Sequence, residues 1–254
     1  MDNHKNARVA IVTGSASGIG AATAVELSRR GFWVVVNYSK SRDMAEAVVK
    51  RCAGAIAVRA DVGEDAECRS LAQAALDKWG RIDALVNNAG TTKFVKHADL
   101  DGLSADDFLR MYRLNVVGPF QMARACAASL KANRGAVVNV SSVAALHGTG
   151  SSIAYAASKA ALNSLTCSLA RVLGPEVRVN AVSPGYVDTP WQTNALGAER
   201  AGKAAAHYST LVPLKDYARP EDVADAIAWL IEGARHTTGE TIFIDGGMHM
   251  SGPR

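Results

Sequence analysis

Short apolar runs alternate with longer segments of mixed character along nearly the whole chain. The runs are rich in Val and Ile and end at polar residues or glycine, which indicates strands buried on both faces of a sheet. We predict seven strands, at Val9–Val12, Phe32–Val36, Ala55–Val58, Ala84–Val86, Ala136–Val140, Val177–Val182 and Thr241–Ile244. The intervening segments predict helices at about 18–30, 41–52, 64–79, 104–131, 153–173 and 220–232. This order predicts a parallel sheet with helices on both faces.

The same alternation bears on domain organisation. The 254 residues suit one large α/β domain or two small domains. No low-complexity linker, shift in composition or internal repeat divides them, so we expect a single domain over residues 1–254. Segment 184–219 interrupts the alternation with three prolines and a predicted helix near 195–208. A long excursion of this kind is more often functional than accidental.

Charge and cysteine distribution exclude several classes of function. The 28 Lys and Arg residues exceed the 24 Asp and Glu residues by four, without a run of five like charges, so we expect no nucleic-acid partner. No apolar stretch reaches about 18 residues and the polar N-terminus resembles no signal peptide, so we expect no membrane span and a cytoplasmic location. The four cysteines and the histidines lack ligand spacing, so no metal centre is predicted.

A glycine-rich turn follows the first predicted strand. It reads Thr-Gly-Ser-Ala-Ser-Gly-Ile-Gly over residues 13–20, directly before a predicted helix. Gly14, Gly18 and Gly20 permit a tight turn, a close approach of the backbone to a pyrophosphate, and close packing of the helix on the strand. Amide groups at the start of the helix would face the phosphates. The position between strand and helix predicts a dinucleotide site, whereas a lone glycine pattern would be a weak signal.

Further motifs follow in order along the chain. They are Asn-Asn-Ala-Gly at 87–90, Asn115 in the fourth helix, Ser142 after the fifth strand, Tyr155 with Lys159, and Ser-Pro-Gly at 183–185. Together with the glycine turn, this set resembles the short-chain dehydrogenase/reductase family from about residue 7 to residue 250, in particular its 3-oxoacyl-carrier-protein reductases and glucose dehydrogenases. The resemblance implies a single Rossmann-type α/β domain with a doubly wound parallel seven-stranded sheet. It also implies an oxidoreductase that moves hydride between a nicotinamide and a carbonyl or secondary alcohol.

Tyr155 and Lys159 are the predicted proton-handling pair. They lie four positions apart on a predicted helix and therefore on one face. A free tyrosine has a pKa of about 10, and we expect the neighbouring ammonium, together with an oxidised nicotinamide, to lower it. Tyr155 would then serve as general acid in reduction and general base in oxidation. The resemblance implies that Lys159 also hydrogen-bonds the nicotinamide ribose.

Two further residues complete the predicted catalytic set. Ser142 follows a buried strand, where its hydroxyl can donate to a substrate oxygen; Ser141 competes, and the family's spacing of thirteen to the tyrosine favours Ser142. Asn115 stands in a helix interior before Gly118–Pro119, which predicts a kink that frees a carbonyl to hold a water. The resemblance implies that Asn115 helps to relay protons between Lys159 and solvent.

The end of the second strand predicts which dinucleotide is bound. An acidic side chain there would bind the adenosine ribose and repel a 2′-phosphate. This chain has Asn37, followed by Tyr38. Next come Ser39, Lys40 and Arg42, any of which could contact a phosphate. We therefore expect NADP(H), with NAD(H) as the alternative.

The family's motifs imply the remaining cofactor contacts. Asp61 and Val62 would contact the adenine, and Val187 and Thr189 the nicotinamide carboxamide. The full set expected to contact the cofactor is Gly14, Ser15, Ser17, Gly18, Ile19, Gly20, Asn37, Tyr38, Ser39, Asp61, Val62, Asn88, Ala89, Gly90, Tyr155, Lys159, Pro184, Gly185, Val187 and Thr189. His147 and Tyr186 flank the predicted site as candidate pocket residues.

Substrate and partners are less constrained. Carrier-protein reductases tend to have arginines where this chain has Asn133 and Glu176, although Arg134 and Arg178 stand close by. We expect a small-molecule carbonyl or alcohol substrate. The alternatives are an NAD-dependent sugar or alcohol dehydrogenase and a dinucleotide-binding regulator without turnover. The resemblance also implies a homotetramer built on the long helices, with a dimer as the alternative.

Overall fold

One parallel sheet contains all seven predicted strands. The computed structural model describes residues 7–250. The strands are β1 (Arg8–Val12), β2 (Phe32–Tyr38), β3 (Ala55–Arg59), β4 (Ala84–Asn87), β5 (Ala136–Val140), β6 (Arg178–Pro184) and β7 (Thr241–Ile244). They are ordered β3-β2-β1-β4-β5-β6-β7, with every neighbouring pair parallel. The chain therefore reverses its direction of travel across the sheet between β1 and β4, where a crevice opens at the carboxyl ends of the strands.

Helices connect the strands and cover both faces of the sheet. They are α1 (Gly18–Arg29), α2 (Arg42–Val49), α3 (Asp65–Trp79), α4 (Ala105–Tyr112), α5 (Gly118–Ala132), α6 (Ala144–His147), α7 (Ile153–Leu173), α8 (Pro190–Leu196), α9 (Ala198–Leu211) and α10 (Pro220–Glu232). The doubly wound α/β fold is thereby confirmed.

Two apolar layers hold the helices to the sheet. On one face, Leu27 of α1 and Ile227 of α10 pack against β-strand valines. On the other, Leu71 of α3, Met122 of α5 and Leu169 of α7 do the same. Burying such side chains contributes roughly 1.5–3 kcal/mol each. The expectation of burial on both faces holds for the inner strands, but β3 and β7 are only partly buried because they form the edges of the sheet.

The predicted helix over 104–131 is interrupted. A π-helical turn, Arg113–Val117, separates α4 from α5, and the Gly118 amide donates to the Arg113 carbonyl five residues earlier. Pro119 has no amide hydrogen for the carbonyl of Asn115, which would be its acceptor in a regular α-helix. The regular helix is therefore interrupted at the position where the kink is predicted, and the interruption is a π-turn.

The excursion after β6 contains two helices, α8 and α9, where one helix near 195–208 is predicted. Gly197, with φ of 78°, separates them. The base of the excursion is fixed by a parallel bridge between Val187 and Ala218. Tyr186 donates to the Ala201 carbonyl and so secures α9.

Within residues 7–250, no helix has the length and apolar character needed to cross a membrane. The same residues contain no group of three or more His, Cys, Asp or Glu side chains placed to hold a metal ion. The polar N-terminal residues 1–6 and the end of the expected domain, 251–254, lie outside the described range.

Candidate active site

A cleft of about 650 Å³ opens at the carboxyl edge of the sheet. Most of the predicted site residues line it, from the glycine turn at one side to the β6 end at the other. These are Gly14, Ser17, Gly18, Ile19, Asn37, Ser39, Asp61, Val62, Asn88, Ala89, Gly90, Ser142, Tyr155, Lys159, Pro184, Gly185, Val187 and Thr189. Four predicted residues are not among those that line the cleft, namely Ser15, Gly20, Tyr38 and Asn115.

The glycine turn lies against the strand β4 side of the cleft. Gly14 has a φ of 60°, and a Cβ there would lie 2.9 Å from the Ala89 Cα. A Cβ at Gly20 would overlap the Asn88 amide nitrogen and lie 2.6 Å from the Gly14 carbonyl oxygen. A Cβ at Gly18 would lie 3.3 Å from Thr189 Cγ2. The turn is therefore packed closely against the residues after β4 and against Thr189, in contacts that leave little or no room for a side chain at these positions.

Side chains behind the turn fix its shape. The Ser15 hydroxyl donates to the Val12 carbonyl at 2.7 Å. The Asn88 amide donates to the carbonyls of Thr13, at 2.9 Å, and Gly14, at 3.0 Å. These bonds occupy the polar atoms that point away from the cleft, so the turn is held without help from a ligand.

Asn37 has a different environment from the predicted one. Its carbonyl oxygen accepts from the Gly14 amide at 3.0 Å, and its amide nitrogen donates to the Ala60 carbonyl at 3.1 Å. The side chain is therefore committed to the protein main chain, although the residue still borders the cleft. Tyr38 packs against the apolar layer of α1 and α10. Ser39 and Lys40 line the cleft at this end.

Asp61 follows the carboxyl end of β3. Its carboxylate accepts from the Gly63 amide at 2.9 Å, and its own amide donates to Glu67 at 2.7 Å. The carboxylate is thus held in place beside the cleft while remaining exposed. Such an acceptor matches the exocyclic amine of an adenine.

Tyr155 and Lys159 lie together on the first two turns of α7. The buried Ser152 caps this helix by accepting from the Tyr155 amide at 3.3 Å. Lys159 Nζ lies 5.8 Å from the centre of the Tyr155 ring and donates to the Val140 carbonyl at 2.7 Å. The predicted shared face of Tyr155 and Lys159 is therefore present in the fold.

The pKa of Tyr155 differs from its expected direction. Burial raises it to about 12, against a hydrogen bond with Ser142 that lowers it. Burial also lowers the pKa of Lys159 to about 8. The expectation of an acidic phenol is therefore wrong for the protein alone, because desolvation disfavours a phenolate more than these neighbours favour it.

The two serines after β5 have separate environments. Ser142 is partly exposed in the cleft, hydrogen-bonds Tyr155, and accepts from the Ala144 amide at 3.2 Å. Ser141 is buried and its hydroxyl donates to the Lys159 carbonyl at 3.3 Å. Ser142 is thus the serine with a hydroxyl beside the tyrosine.

Both polar atoms of the Asn115 side chain form hydrogen bonds within the protein. Its carbonyl oxygen accepts from the Thr91 amide at 2.8 Å, and its amide nitrogen donates to the Thr91 carbonyl at 3.0 Å. The same nitrogen donates to the Ser158 hydroxyl at 2.9 Å. Asn115 thereby ties the loop after β4 to the π-turn and to α7, next to Lys159.

Sequence reasoning missed Trp191 and the arginines Arg110 and Arg113, all of which line the cleft. From the sequence, only the position of Trp191 in the excursion after β6 could have suggested it. His147 and Tyr186, the two candidate neighbours, are not among the lining residues.

Comparison with known proteins agrees with this geometry. A family model described as "Enoyl-(Acyl carrier protein) reductase" matches residues 14–249. A protein named as a ketoacyl reductase of the granaticin polyketide synthase of Streptomyces violaceoruber is 42% identical over 245 residues, covering 96% of this chain and 97% of that protein. A 3-oxoacyl-[acyl-carrier-protein] reductase of Synechocystis is 38% identical over 252 residues, covering 96% and 98%.

Solved structures give the same result. A structure described as a short-chain dehydrogenase/reductase from Burkholderia xenovorans is 41% identical, with a TM-score of 0.90, over 96% of this chain and 99% of that chain. Levodione reductase is 29% identical, with a TM-score of 0.88, over 96% and 98%. This chain, with its glycine turn, its Tyr155–Lys159 pair and its seven-stranded sheet, belongs to the short-chain dehydrogenase/reductase family of oxidoreductases.

Proposed function

We propose that the protein is an NADP(H)-dependent oxidoreductase that interconverts a small ketone or aldehyde and the corresponding alcohol. The observation on which this depends is the meeting of the Tyr155, Ser142 and Lys159 side chains in the same cleft as the glycine turn. The dinucleotide, when bound, supplies or accepts the hydride. The protein has to bind it, orient the substrate oxygen and move one proton.

The cleft offers separate places for the parts of the dinucleotide. The glycine turn at the start of α1 suits the pyrophosphate, and the Asp61 carboxylate suits the adenine. Gly90 lies beside Lys159, since a Cβ there would be 3.8 Å from Nζ. Lys159 therefore stands where it can donate to the nicotinamide ribose.

Ser39 and Lys40 support a preference for NADP(H). Both line the cleft, and Lys40 has no ion-pair partner among residues 7–250. Arg42, the third candidate, lies 3.9 Å from Glu46 and is not among the lining residues. A free ammonium at the adenosine end favours a 2′-phosphate, and no carboxylate at position 37 opposes it.

Tyr155 handles the proton in this proposal. In reduction its phenol donates to the substrate oxygen, and in oxidation its phenolate accepts the alcohol proton. Ser142 donates a hydrogen bond to the same oxygen as charge develops there. Lys159 stabilises the phenolate, and Asn115 holds the π-turn from which a water can pass protons between Lys159 and solvent.

A free small molecule is a better candidate than a carrier-bound substrate, although several relatives are named as carrier-protein reductases. Arg178 donates to the carbonyls of Leu230, Ile231 and Ala234 at the end of α10, so its guanidinium is not available to an acidic partner. Asn133 is tied to the Ser129 carbonyl at 2.8 Å.

Assembly and location complete the proposal. We take residues 1–254 to act as one domain, because every described strand belongs to one sheet. We take its location to be the cytoplasm. We take the protein to be a homotetramer, or else a dimer, because α4 and α5 present the exposed side chains of Leu109, Tyr112 and Phe120. Ala123, one of the alanines expected to permit helix pairing, is buried within the subunit's own core.

A substrate panel tests the proposed function. Purified protein is mixed with ketones, aldehydes and the matching alcohols, and nicotinamide absorbance is followed with each dinucleotide. We expect turnover, with higher kcat/KM for NADPH than for NADH. Preference for NADH and sugars would support the alternative dehydrogenase, and dinucleotide binding without any turnover would support a regulator.

A further inference from the structure

The indole of Trp191 stands beside the proposed reacting phenol. The centres of the Trp191 and Tyr155 rings are 6.5 Å apart, with a tilt of 51°. Trp191 is 39% exposed and lines the same cleft. A large aromatic surface left open in a cleft favours a flat apolar group, because stacked and edge-to-face ring pairs form at centroid distances of about 4.5–7 Å.

The backbone that presents Trp191 is held at several points. Thr189 is the N-cap of α8, and Pro190 occupies its first turn. Two residues before this cap, Val187 forms the bridge to Ala218, and the Asp188 amide donates to the Ala218 carbonyl at 3.2 Å. The backbone that carries Trp191 is therefore held in place, so the indole can discriminate between substrates by their shape.

Charge in the cleft argues for a neutral substrate. The cations Arg110 and Arg113 line the cleft but are paired, with Asp107 at 2.9 Å and with Glu64. Burial lowers the pKa of Lys159 and opposes its charged form. Lys40 remains, at the adenosine end. Lys159 is the cation beside Tyr155, but it already donates to the Val140 carbonyl at 2.7 Å and, in the proposed function, binds the nicotinamide ribose and stabilises the phenolate. An anionic group on the substrate would therefore find no uncommitted cation among the described residues beside Tyr155.

We propose that Trp191 is a specificity-determining residue and that the protein prefers neutral ketones whose carbonyl carbon is attached to a planar ring. This inference rests on the proposed function, because it places the substrate oxygen at Tyr155. A ring one bond away from that carbonyl then lies against the indole. A saturated ring of similar size fills the space but cannot stack flat against it.

Acetophenone and cyclohexyl methyl ketone test the inference, since both are neutral methyl ketones and differ in the planarity of the ring. We expect the wild-type protein to have a higher kcat/KM for acetophenone. Trp191→Leu should reduce this preference about fivefold, through a higher KM for acetophenone, while Trp191→Phe should retain most of it. Activity on 2-butanone, which has no ring, should fall less than activity on acetophenone in the Leu variant.

Trp229→Leu is the matched control, because Trp229 is 48% exposed on α10 and does not line the cleft. It should leave the ratio of the two ketones unchanged. An unchanged ratio in Trp191→Leu, or equal use of both ketones by the wild-type protein, would overturn the inference and leave the proposed function standing. Failure of the wild-type protein to reduce any of the three ketones, with dinucleotide bound, would count against the proposed function itself.

Discussion

Lys159 Nζ lies 5.8 Å from the centre of the Tyr155 ring, on the same face of α7. At this separation the ammonium favours a phenolate through its charge, but burial of both groups opposes charge on either. The two pKa values have accordingly moved in opposite directions, to about 12 for Tyr155 and about 8 for Lys159. Both shifts favour the neutral forms, so in the protein alone Tyr155 is a protonated phenol near neutral pH and has a proton to give, although it is a weaker acid than a free phenol.

Loss of the phenol should remove most of the turnover. In Tyr155→Phe the ring and its packing remain, but no proton can be given to the substrate oxygen, so we expect kcat to fall by roughly 10²–10⁴-fold. Dinucleotide affinity, measured by titration of protein fluorescence, should stay within about twofold. Activity comparable with that of the wild-type protein would show that another group handles the proton.

Binding of NADP⁺ should lower the pKa of Tyr155 from about 12. The positive nicotinamide ring favours a phenolate nearby. Oxidation needs the phenolate, so its rate should rise with pH until the pKa of Tyr155 in the complex is reached. Reduction needs the phenol, so its rate should fall above that pH. Phenolate absorbance during pH titration, with and without NADP⁺, measures the shift, and Tyr155→Phe should lack this signal.

Removal of the Lys40 ammonium should affect one dinucleotide selectively. In Lys40→Ala we expect the KM for NADPH to rise by about tenfold, the size of one charge-assisted hydrogen bond, with little change for NADH. Lys50→Ala is the control, because Lys50 is exposed at the far end of α2 and does not line the cleft. Equal losses with both dinucleotides would assign Lys40 to a different task.

A methyl group in the glycine turn should destabilise the fold, and one elsewhere should not. In Gly20→Ala the new Cβ would overlap the Asn88 amide and the Gly14 carbonyl, so we expect a loss of about 2 kcal/mol or more and weakened dinucleotide binding. Gly202→Ala is the control, because nothing lies within 4 Å of a Cβ there and the position is inside α9. Helix propensity predicts a gain of about 1 kcal/mol for it. Urea unfolding measures both, and equal stabilities would contradict the tight contact at Gly20.

The sequence was sufficient for the sheet, and it brought most of the predicted site residues to one cleft, because both depend on local patterns. Val- and Ile-rich runs locate the strands, and the spacing of Tyr155 and Lys159 places them on one helical face. The inward position of Asn37 could not be predicted, since it depends on where the Gly14 amide and the Ala60 carbonyl meet in three dimensions.

The burial of the Tyr155 and Lys159 side chains could not be predicted from the motif either. The spacing of Tyr155 and Lys159 predicts their proximity but not the loss of solvent that raises one pKa and lowers the other. Trp191 belongs to no motif, and its place beside Tyr155 depends on the path of the excursion after β6.

The π-turn at Arg113–Val117 places one more residue between α4 and α5 than a regular helical turn would. Its hydrogen bond spans five residues instead of four, so deletion of a single residue would restore a regular helix and leave α4 and α5 close to their present relative rotation. Asn115 would then swing away from Thr91 and Ser158. The chain could lose one residue here and keep its helical content, yet the loop after β4 would no longer be bonded through Asn115 to α7, the helix of Tyr155.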